Sequence, residues 1–352
     1  MTDQDWMQQC IDLARCAQGR TAPNPMVGAL VVRDGVVLAE GFHREAGDLH
    51  AECMVLESLG GDLSKATMYV NLEPCCHVGR TGPCTDAILG AGVGRVVVGM
   101  VDPNPLVHGK GIAQLQAAGV ELEVGVLQEA CEELNAGYSS TFSKGRPQVW
   151  LKAAATLNGA IADASGASKW ITGTLAREHV HELRNRMDAV LVGSGTLLAD
   201  DPALTTRTLD GRDALRVVLD TNLCCPESAR LFEAEELPLI YCASDAQERD
   251  LPATVVRVAR SDAGLDLEAV LADLAARGVH NLLVEGGGQL HRSFLDAGLA
   301  DRLLLFLAPK LLPGGKSFVG GAPIGLDEAP SFDLVNTVQL GPDLLLEYRL
   351  EG

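Results

Sequence analysis

One segment, LEPCCHVGRTGPC at residues 72–84, combines with the earlier triplet His50-Ala51-Glu52 to indicate the fold of the first half of the chain. The apolar run over Thr67–Leu72 predicts a buried strand that leads to Cys75, and helices are predicted to begin at His50 and Cys84. The pattern offers one imidazole and two thiols as ligands for a single ion. Zinc prefers such ligands, and three of them leave one position of a tetrahedral ion open for water, whereas a structural site normally closes all four.

Glu52 lies two residues beyond His50 and is predicted to carry protons without being a ligand. Zinc lowers the pKa of its bound water, so that hydroxide is available near neutral pH. A neighbouring carboxylate then carries protons to a ring nitrogen and to the leaving amine. The residues alone therefore predict hydrolytic deamination of an aminated ring, with Glu52 as the catalytic residue.

The spacing of the two cysteines differs from that of zinc base deaminases, in which Pro-Cys-x-x-Cys follows His-x-Glu. Here Cys84 lies nine positions after Cys75. The added length places Arg80 near the metal, which suits a substrate larger than a plain base, such as one that carries phosphate. Cys76 is an alternative ligand.

Two alternatives to a catalytic zinc site stay open at this point. In one, the zinc ion is purely structural. In the other, His50 and the thiols are ordinary buried side chains, which is a common fate of each residue type alone. Three further cysteines, Cys10, Cys16 and Cys53, fall on apolar helix faces and are predicted to be core residues.

Apolar patterns on either side of this motif alternate between strand and helix, which predicts a layered α/β domain. An amphipathic helix over residues 6–17 precedes two strands, 26–33 and 36–41, that flank a hairpin turn at Asp34-Gly35. A polar stretch at residues 138–147 contains Gly and Pro and suits a linker. We therefore place a boundary near Gly145 and predict domains over residues 1–145 and 146–352.

The second half is predicted to be another α/β domain, with buried strands, intervening helices and a closing hairpin over residues 332–350. The strand over Asn281–Val284 runs into Glu285 and three glycines before a helix begins near Gln289. Bare backbone N–H groups at a helix N-terminus favour an anion such as a dinucleotide pyrophosphate, although three glycines also make an ordinary tight turn. A second glycine-bearing strand end at Gly193 supports a cofactor cleft at the carboxyl edge of the sheet.

Length and charge exclude several classes of protein. The chain has 352 residues, of which 47% are hydrophobic, enough for more than one core. A formal net charge of −19 repels polyphosphate and anionic lipid, so we expect no nucleic-acid partner and no membrane association. The amino terminus lacks the features of a signal peptide. We therefore expect the ten cysteines to be reduced thiols in a cytoplasmic protein.

Motifs in the first half resemble the deaminase half of the bifunctional riboflavin-biosynthesis deaminase/reductase family. The matching segments are residues 21–28, 41–43, 46–47, 50–52 and 72–84. In that family the long interval between the two cysteines is the rule. The resemblance implies a cytidine-deaminase-like layered domain, with His50, Cys75 and Cys84 as zinc ligands and Glu52 as the proton shuttle. Departures from the family pattern are Leu49 for Pro, Cys76 for Ser and Gly82 for Pro.

The second half resembles the reductase half of the same family, which is similar in fold to dihydrofolate reductase. Matching segments include residues 171–173, 181–184, 188–193, 200–202, 284–287 and 308–312, while Asn158 replaces a usual Asp. The resemblance implies that NADPH is bound by Ala154, Trp170, Thr196, Asp200, Thr221, Gly287, Gly288 and Gln289. It also implies substrate contacts from Ser168, Arg184, Leu204, Arg207 and Glu285. The forked, permanently charged guanidinium groups of Arg184 and Arg207 suit a substrate phosphate.

We predict a bifunctional enzyme that uses zinc to deaminate 2,5-diamino-6-(5-phosphoribosylamino)pyrimidin-4-one and then uses NADPH to reduce the ribosyl group to ribityl. The identity of this small-molecule substrate is implied by the resemblance alone. A homo-oligomer is compatible with the sequence. Two alternatives stay open: a nucleoside or base deaminase whose second domain is a degenerate regulatory nucleotide-binding domain, and a zinc-stabilised nucleotide-binding or scaffold protein without turnover.

Overall fold

The computed structural model describes residues 1–78, 82–209, 211–262 and 264–350. The chain divides into two compact units, Met1–Gly145 and Arg146–Gly352. Each unit has its own sheet and its own apolar core. All ten cysteines are free thiols. Within the described residues, no helix combines the length and the apolar character needed to cross a membrane.

The first unit is a mixed sheet covered by helices. Its strands are β1 (Gly28–Arg33), β2 (Val36–Phe42), β3 (Thr67–Leu72), β4 (Arg95–Met100) and β5 (Glu121–Val124). Its helices are α1 (Asp3–Arg15), α2 (Ala51–Glu57), α3 (Cys84–Ala91), α4 (Lys110–Ala117), α5 (Gln128–Leu134) and α6 (Ala136–Ser143). The strand order is β2-β1-β3-β4-β5, and β3, β4 and β5 are parallel to one another. The carboxyl ends of β3 and β4 therefore lie side by side at one edge of the sheet.

Local sequence explains the first elements of this unit. A capping box formed by Thr2 and Asp5 starts α1, which buries Trp6 against the sheet core. Asp34 and Gly35 have φ values of 52° and 76°. Two positive φ values are what a two-residue type I′ turn requires, so the predicted hairpin of β1 and β2 is confirmed.

The predicted linker over residues 138–147 is wrong for most of its length. Helix α6 occupies it up to Ser143, and Tyr138 is buried. The Tyr138 hydroxyl donates to Asp102 Oδ1 at 3.1 Å, and its ring packs edge-on against Phe142 with centroids 5.0 Å apart. Small polar residues suggested a loop, but aromatic residues at positions i and i+4 share one face of a helix and stabilise it. Their packing outweighs the composition.

The second unit is built on a larger sheet. Its strands are β6 (Gln148–Thr156), β7 (Ala160–Ala162), β8 (Ala189–Gly193), β9 (Leu215–Leu219), β10 (Leu239–Ala243), β11 (Thr254–Val258), β12 (Arg260–Ser261), β13 (Gly264–Leu265), β14 (Asn281–Val284), β15 (Arg302–Ala308), β16 (Lys316–Ser317), β17 (Phe332–Leu340) and β18 (Asp343–Leu350). Its helices are α7 (Thr174–Arg186), α8 (Ser194–Asp200), α9 (Leu267–Ala276) and α10 (Gly288–Asp296), with short 3-10 helices at Arg230–Phe232 and Leu326–Glu328.

Nine of these strands form one sheet in the order β11-β10-β9-β8-β14-β6-β15-β18-β17. The first seven strands in this order, which end with β15, are parallel to one another. The last two, β18 and β17, continue the sheet as the predicted antiparallel hairpin. From β8 the chain adds β9, β10 and β11 towards one edge of the sheet, whereas β15 is added on the opposite side of β6. The direction in which strands are added therefore reverses. Ligands bind outside the carboxyl ends of strands at such a reversal.

Apolar clusters cover both faces of the large sheet. Successive side chains of a strand point to opposite faces. Ala189 and Leu191 accordingly belong to one cluster, while Val190 and Val192 belong to the other. Burial on both faces explains why the parallel strands appear in the sequence as continuous apolar runs.

Candidate functional site

Three ligand-type side chains come together beside the carboxyl end of β3. His50 directly precedes α2, Cys75 follows β3, and Cys84 is the first residue of α3. His50 Nδ1 lies 3.2 Å from Cys84 Sγ and 3.5 Å from Cys75 Sγ, and the three ligand atoms all lie within 4.8 Å of one another. In the described part of the chain, this is the one group of three or more such residues at this spacing.

A zinc ion fits this group. Zn–N bonds of about 2.0 Å and Zn–S bonds of about 2.3 Å place neighbouring ligand atoms of a tetrahedral ion roughly 3.5–3.8 Å apart. The observed separations are close to these values. The backbone N–H of Cys84 donates to Cys75 Sγ at 3.4 Å. Hydrogen bonds from Cys84 and His50 lower the pKa of the Cys75 thiol to about 4, although burial acts in the opposite direction. Cys75 therefore favours the thiolate, which is the form that binds zinc, whereas hydrogen bonding with Cys53 and Cys75, together with burial, raises the pKa of Cys84.

Glu52 lies in the first turn of α2, with only 3% of its surface exposed. Burial, together with the negative charge of Cys75, raises the pKa of its carboxyl group to about 7. A carboxyl group with a pKa near the working pH can both accept and return a proton. Glu52 is buried beside the ligand group but is not one of the ligands, as the predicted proton shuttle requires.

His43 supports the ring of His50 from one side. The two rings meet edge to face with centroids 5.5 Å apart, and only 2% of His43 is exposed. His43 Nδ1 donates to the carbonyl of Leu49 at 3.1 Å, so its Nε2 atom accepts from Asn24 Nδ2 at 3.0 Å. The sequence motif contained Asn24 and His43, but sequence reasoning gave neither residue a role. Their contacts hold His50 in orientation, as residues behind a metal ligand commonly do.

Two other thiols lie near the ligand group. Cys76, the alternative ligand, is partly buried and is not a member of the group among the described residues. Cys53, which was predicted to be a core thiol, has its Sγ atom 3.9 Å from Cys84 Sγ. That prediction is wrong because α2 packs against α3 on this side, so that Cys53 faces the start of α3.

The remaining predictions for this unit have mixed outcomes. Cys10 is buried in the core as predicted, whereas Cys16 is exposed just beyond the end of α1. The apolar face of the helix ends before Cys16, so the core prediction for this residue is wrong. Arg80 lies outside the described residues.

A cavity of about 1720 Å³ lies at the carboxyl edge of the parallel strands of the second unit. All of the predicted cofactor and substrate residues of this half line it. They are Ala154, Ser168, Trp170, Arg184, Thr196, Asp200, Leu204, Arg207, Thr221, Glu285, Gly287, Gly288 and Gln289. The structure thus brings these residues together, and their individual contacts with ligands stay predictions. Thr196 and Asp200 lie on α8, a helix that sequence reasoning missed.

Glycines at the start of α10 suit a dinucleotide. Gly287 caps the helix without a side-chain hydrogen bond, which leaves the first N–H groups of the helix available. A Cβ atom at Gly288 would overlap the carbonyl oxygen of Ser317, so glycine is required there. Bare backbone at the start of a helix binds pyrophosphate. The donors and the size of the cavity therefore fit NADPH.

A buried group of opposite charges forms one wall of the cavity. Arg184 Nε and Nη2 donate to Glu285 Oε1 and Oε2 at 2.6 and 3.1 Å, and Lys152 Nζ lies 3.6 Å from Glu285 Oε2. Burial alone would raise the pKa of Glu285, but the charges of Arg184 and Lys152 lower it to about 2. Sequence reasoning missed Lys152, although a lysine in the apolar strand β6 was a usable signal.

The two predicted phosphate-binding arginines differ in their surroundings. Arg184 also donates from Nη1 to the carbonyl of Thr205 at 3.0 Å, so much of its fork is occupied by protein groups. The adjacent Leu204 is held at φ 57°, a conformation that is strained for leucine. Arg207 is exposed and forms no hydrogen bond or ion pair within the described residues. Arg207 is thus the arginine with its guanidinium available for a ligand.

Asn158, which replaces a usual Asp, has a structural explanation. Its Nδ2 atom donates to the carbonyl of Leu312 at 3.0 Å, and its Oδ1 atom accepts from Leu312 N at 2.9 Å. An aspartate could make only the second of these bonds. Asn158 is absent from the lining of the cavity and holds the turn after β6.

Comparison with known proteins assigns both halves. Residues 147–346 match the family model of the RibD C-terminal domain, and residues 1–100 match that of the cytidine and deoxycytidylate deaminase zinc-binding region. The riboflavin biosynthesis protein RibD of Actinobacillus pleuropneumoniae is 40% identical over 358 residues, which cover 99% of this chain and 95% of that protein. The Escherichia coli protein of the same name is 38% identical over 363 residues, with 98% and 99% covered. The chain belongs to the RibD family.

Solved structures of the RibD family agree in fold. Acinetobacter baumannii RibD superposes with a TM-score of 0.91 at 37% identity and covers 99% of both chains. A diaminohydroxyphosphoribosylaminopyrimidine deaminase/5-amino-6-(5-phosphoribosylamino)uracil reductase of Thermotoga maritima also gives 0.91, at 40% identity over 99% of this chain and 98% of that one. The predicted fold, a deaminase domain of the cytidine-deaminase type followed by a reductase domain, is confirmed.

Membership of the RibD family settles the class of enzyme. The protein is a bifunctional deaminase and reductase of riboflavin biosynthesis, with zinc and NADPH as its cofactors. This finding confirms the predicted hydrolase and oxidoreductase activities. A deaminase with a degenerate regulatory domain and a scaffold without turnover are both disfavoured.

Proposed function

We propose that residues 1–145 carry out the deamination and residues 146–352 carry out the reduction. The observation that carries the first assignment is the group of His50, Cys75 and Cys84 beside the buried carboxyl group of Glu52. The second assignment is supported by the cavity at the carboxyl edge of the large sheet. Each unit has its own core, so each site can be perturbed separately.

In the deaminase unit, His50, Cys75 and Cys84 would hold zinc, which supplies an electrophile that acidifies water when it is bound. Glu52 accepts a proton from the attacking water and passes it to the ring nitrogen; it then takes a second proton from the hydroxyl group now on the ring carbon and passes it to the leaving amine. Its pKa of about 7 suits both steps. Burial of Glu52 keeps bulk water from exchanging this proton.

In the reductase unit, the bare backbone of Gly287 and Gly288 would hold the pyrophosphate of NADPH, which supplies hydride when it is bound. The other proposed cofactor contacts are Ala154, Trp170, Thr196, Asp200, Thr221 and Gln289. Arg207 would bind the substrate phosphate through its exposed guanidinium group. Arg184 holds Glu285 in place, so that this carboxylate presents a fixed charge to the substrate. Ser168 and Leu204 would complete the substrate contacts.

The name of the Thermotoga protein supports an order of reactions. Its deaminase substrate is a diaminopyrimidine and its reductase substrate is a uracil, so hydrolysis of a ring amine to a carbonyl supplies the second reaction. We propose the same order and the same phosphoribosylaminopyrimidine for this chain. A cavity lined by an exposed arginine that suits a phosphate supports this substrate.

We also propose a cytoplasmic location and no nucleic-acid partner. Two zinc thiolates need a reducing compartment, and all ten cysteines are free, which supports the first proposal. The net charge of −19 supports the second. Self-association stays a prediction that sedimentation of the purified chain would test.

One experiment tests both halves at once. The purified chain is incubated with the candidate pyrimidine, with and without NADPH, while ammonia and cofactor absorbance are followed. We expect ammonia release in both cases and NADPH oxidation only after deamination. Ammonia without NADPH oxidation would contradict the reductase assignment, and NADPH oxidation without ammonia would contradict the deaminase assignment.

A further inference from the structure

A third thiol lies beside the two thiol ligands of the proposed zinc site and has no part in the reactions described above. Cys53 follows Glu52 in α2, and its Sγ atom lies 3.9 Å from that of Cys84 at the start of α3. The two cysteines are held on separate helices that pack against each other. This contact is fixed by the packing of the unit and not by a flexible loop.

The geometry separates Cys53 from the ligands themselves. Two thiolates on one tetrahedral zinc ion stand about 3.8 Å apart, so Cys53 is as close to Cys84 as a second ligand would be. Yet within the described residues Cys53 is not a member of the group whose ligand atoms all lie within 4.8 Å of one another. A third thiolate, as the fourth protein ligand, would also close the position that the attacking water needs. Cys53 therefore contacts a ligand without being one.

The two thiols differ in their access to solvent. Cys84 is fully buried, whereas Cys53 is partly exposed. A dissolved oxidant thus reaches Cys53 more readily than it reaches Cys84. A sulfenic acid formed on an accessible thiol condenses with a neighbouring thiol to give a disulfide. Cys84 is a thiol in contact with Cys53, and it is also a proposed zinc ligand.

We propose that Cys53 and Cys84 form a peroxide-sensitive pair that releases the zinc ion from the deaminase site. The Cys53 sulfur attacks one oxygen of hydrogen peroxide, the O–O bond breaks, and Cys53 sulfenic acid and one water result. The Cys84 thiolate would then attack the Cys53 sulfur, so that its bond to zinc and the S–O bond break, and the hydroxide that leaves takes a proton from solvent to become the second water. The two sulfurs together lose two electrons, which reduce the peroxide, and the two protons that this reduction needs come from the Cys53 thiol and from solvent. Because a disulfide sulfur is no longer a thiolate, zinc loses one of its three ligands.

This inference rests on the proposed function, since it takes Cys84 as a zinc ligand. The test treats the full-length, zinc-loaded protein with hydrogen peroxide, follows released zinc with a chromogenic chelator and maps disulfides by mass spectrometry. We expect release of about one zinc per chain, a peptide that joins Cys53 to Cys84, and reversal by dithiothreitol with added zinc. The protein that has lost its zinc should still oxidise NADPH when it is given deaminated substrate.

Matched variants make the outcome decisive. Cys53→Val and Cys53→Ser should keep their zinc under the same peroxide exposure, while Cys76→Ser should lose it as the unmodified chain does. Zinc release from both Cys53 variants at the unmodified rate, or a disulfide between other cysteines, overturns the inference. The proposed ligand set fails separately, and before any peroxide is added, if Cys84→Ala binds as much zinc as the unmodified chain.

Discussion

Replacing Glu285 by Gln should destabilise the second unit strongly. The amide keeps the shape of the side chain but leaves Arg184 and Lys152 as two cations without an anion between them. All three side chains are at most 14% exposed. Removing one partner of a buried ion pair costs about 3–5 kcal/mol, because the remaining charge stays desolvated. If the free energy of unfolding falls by about 3 kcal/mol per molar urea, the urea concentration at the unfolding midpoint should fall by roughly 1–2 M.

Tryptophan fluorescence in urea measures this change. Trp150 and Trp170 lie in the second unit, and Trp6 lies in the first. Asp296→Asn is a matched control in the same unit, since its pair with Arg292 is more exposed and contributes about 0.3–0.5 kcal/mol. A midpoint shift for Glu285→Gln no larger than that of the control would refute the reasoning and show that solvent screens the Glu285 charge.

The same variant has a predicted pH signature. The folded pKa of Glu285 is lowered to about 2 from an ordinary value of 4.5, so its contribution to stability is present above pH 4.5 and is lost as pH falls towards 2. The difference in unfolding free energy between the unmodified chain and Glu285→Gln should therefore shrink across that range. A difference that stays constant from pH 5 to about 2.5 would contradict the assigned ion pair.

Three further predictions, which use four substitutions, test the proposed roles. Glu52→Gln should keep zinc bound but abolish ammonia release, because an amide cannot accept and return a proton; deamination near the unmodified rate would exclude Glu52 as the shuttle. Cys84→Ala should lower the zinc content measured by atomic absorption, whereas Cys76→Ala should not, and equal losses would reassign the ligands. Arg207→Ala should weaken binding of the phosphorylated substrate by about 1.5–3 kcal/mol, or one to two powers of ten in affinity, with NADPH affinity nearly intact. Loss of NADPH binding with an unchanged substrate KM would instead assign Arg207 to the cofactor.

Sequence patterns predicted most elements because their signals are local. The apolar runs of β3 and β14 and the turn at Asp34-Gly35 depend on neighbouring residues, and these predictions are confirmed. The group of His50, Cys75 and Cys84 was also predictable, since chemically distinctive residues mark it. Helix α6 was missed for a physical reason: besides the local packing of Tyr138 on Phe142, the Tyr138 hydroxyl bonds to Asp102, 36 positions away. Composition alone cannot register such a contact.

Cys53 illustrates the same limit at the metal site. Its helical position next to Glu52 was evident, but which surface that helix covers depends on how α2 and α3 pack. The contact with Cys84 joins residues 31 positions apart. A periodicity argument identifies an apolar face but does not distinguish the sheet core from a neighbouring helix. The functional reading of this thiol therefore depends on tertiary structure.

The division of roles between the two arginines depends on the longest of these contacts. Sequence reasoning treated Arg184 and Arg207 as equivalent forks for phosphate, because both lie in matching motifs and both are permanently charged. Arg184 meets Glu285 across 101 positions, and a guanidinium that already donates to a carboxylate and a carbonyl offers few donors to a phosphate. Arg207 has no such partner in the described chain. We therefore propose that the charge of Arg207 faces the substrate phosphate, while Arg184 keeps Glu285 ionised and oriented.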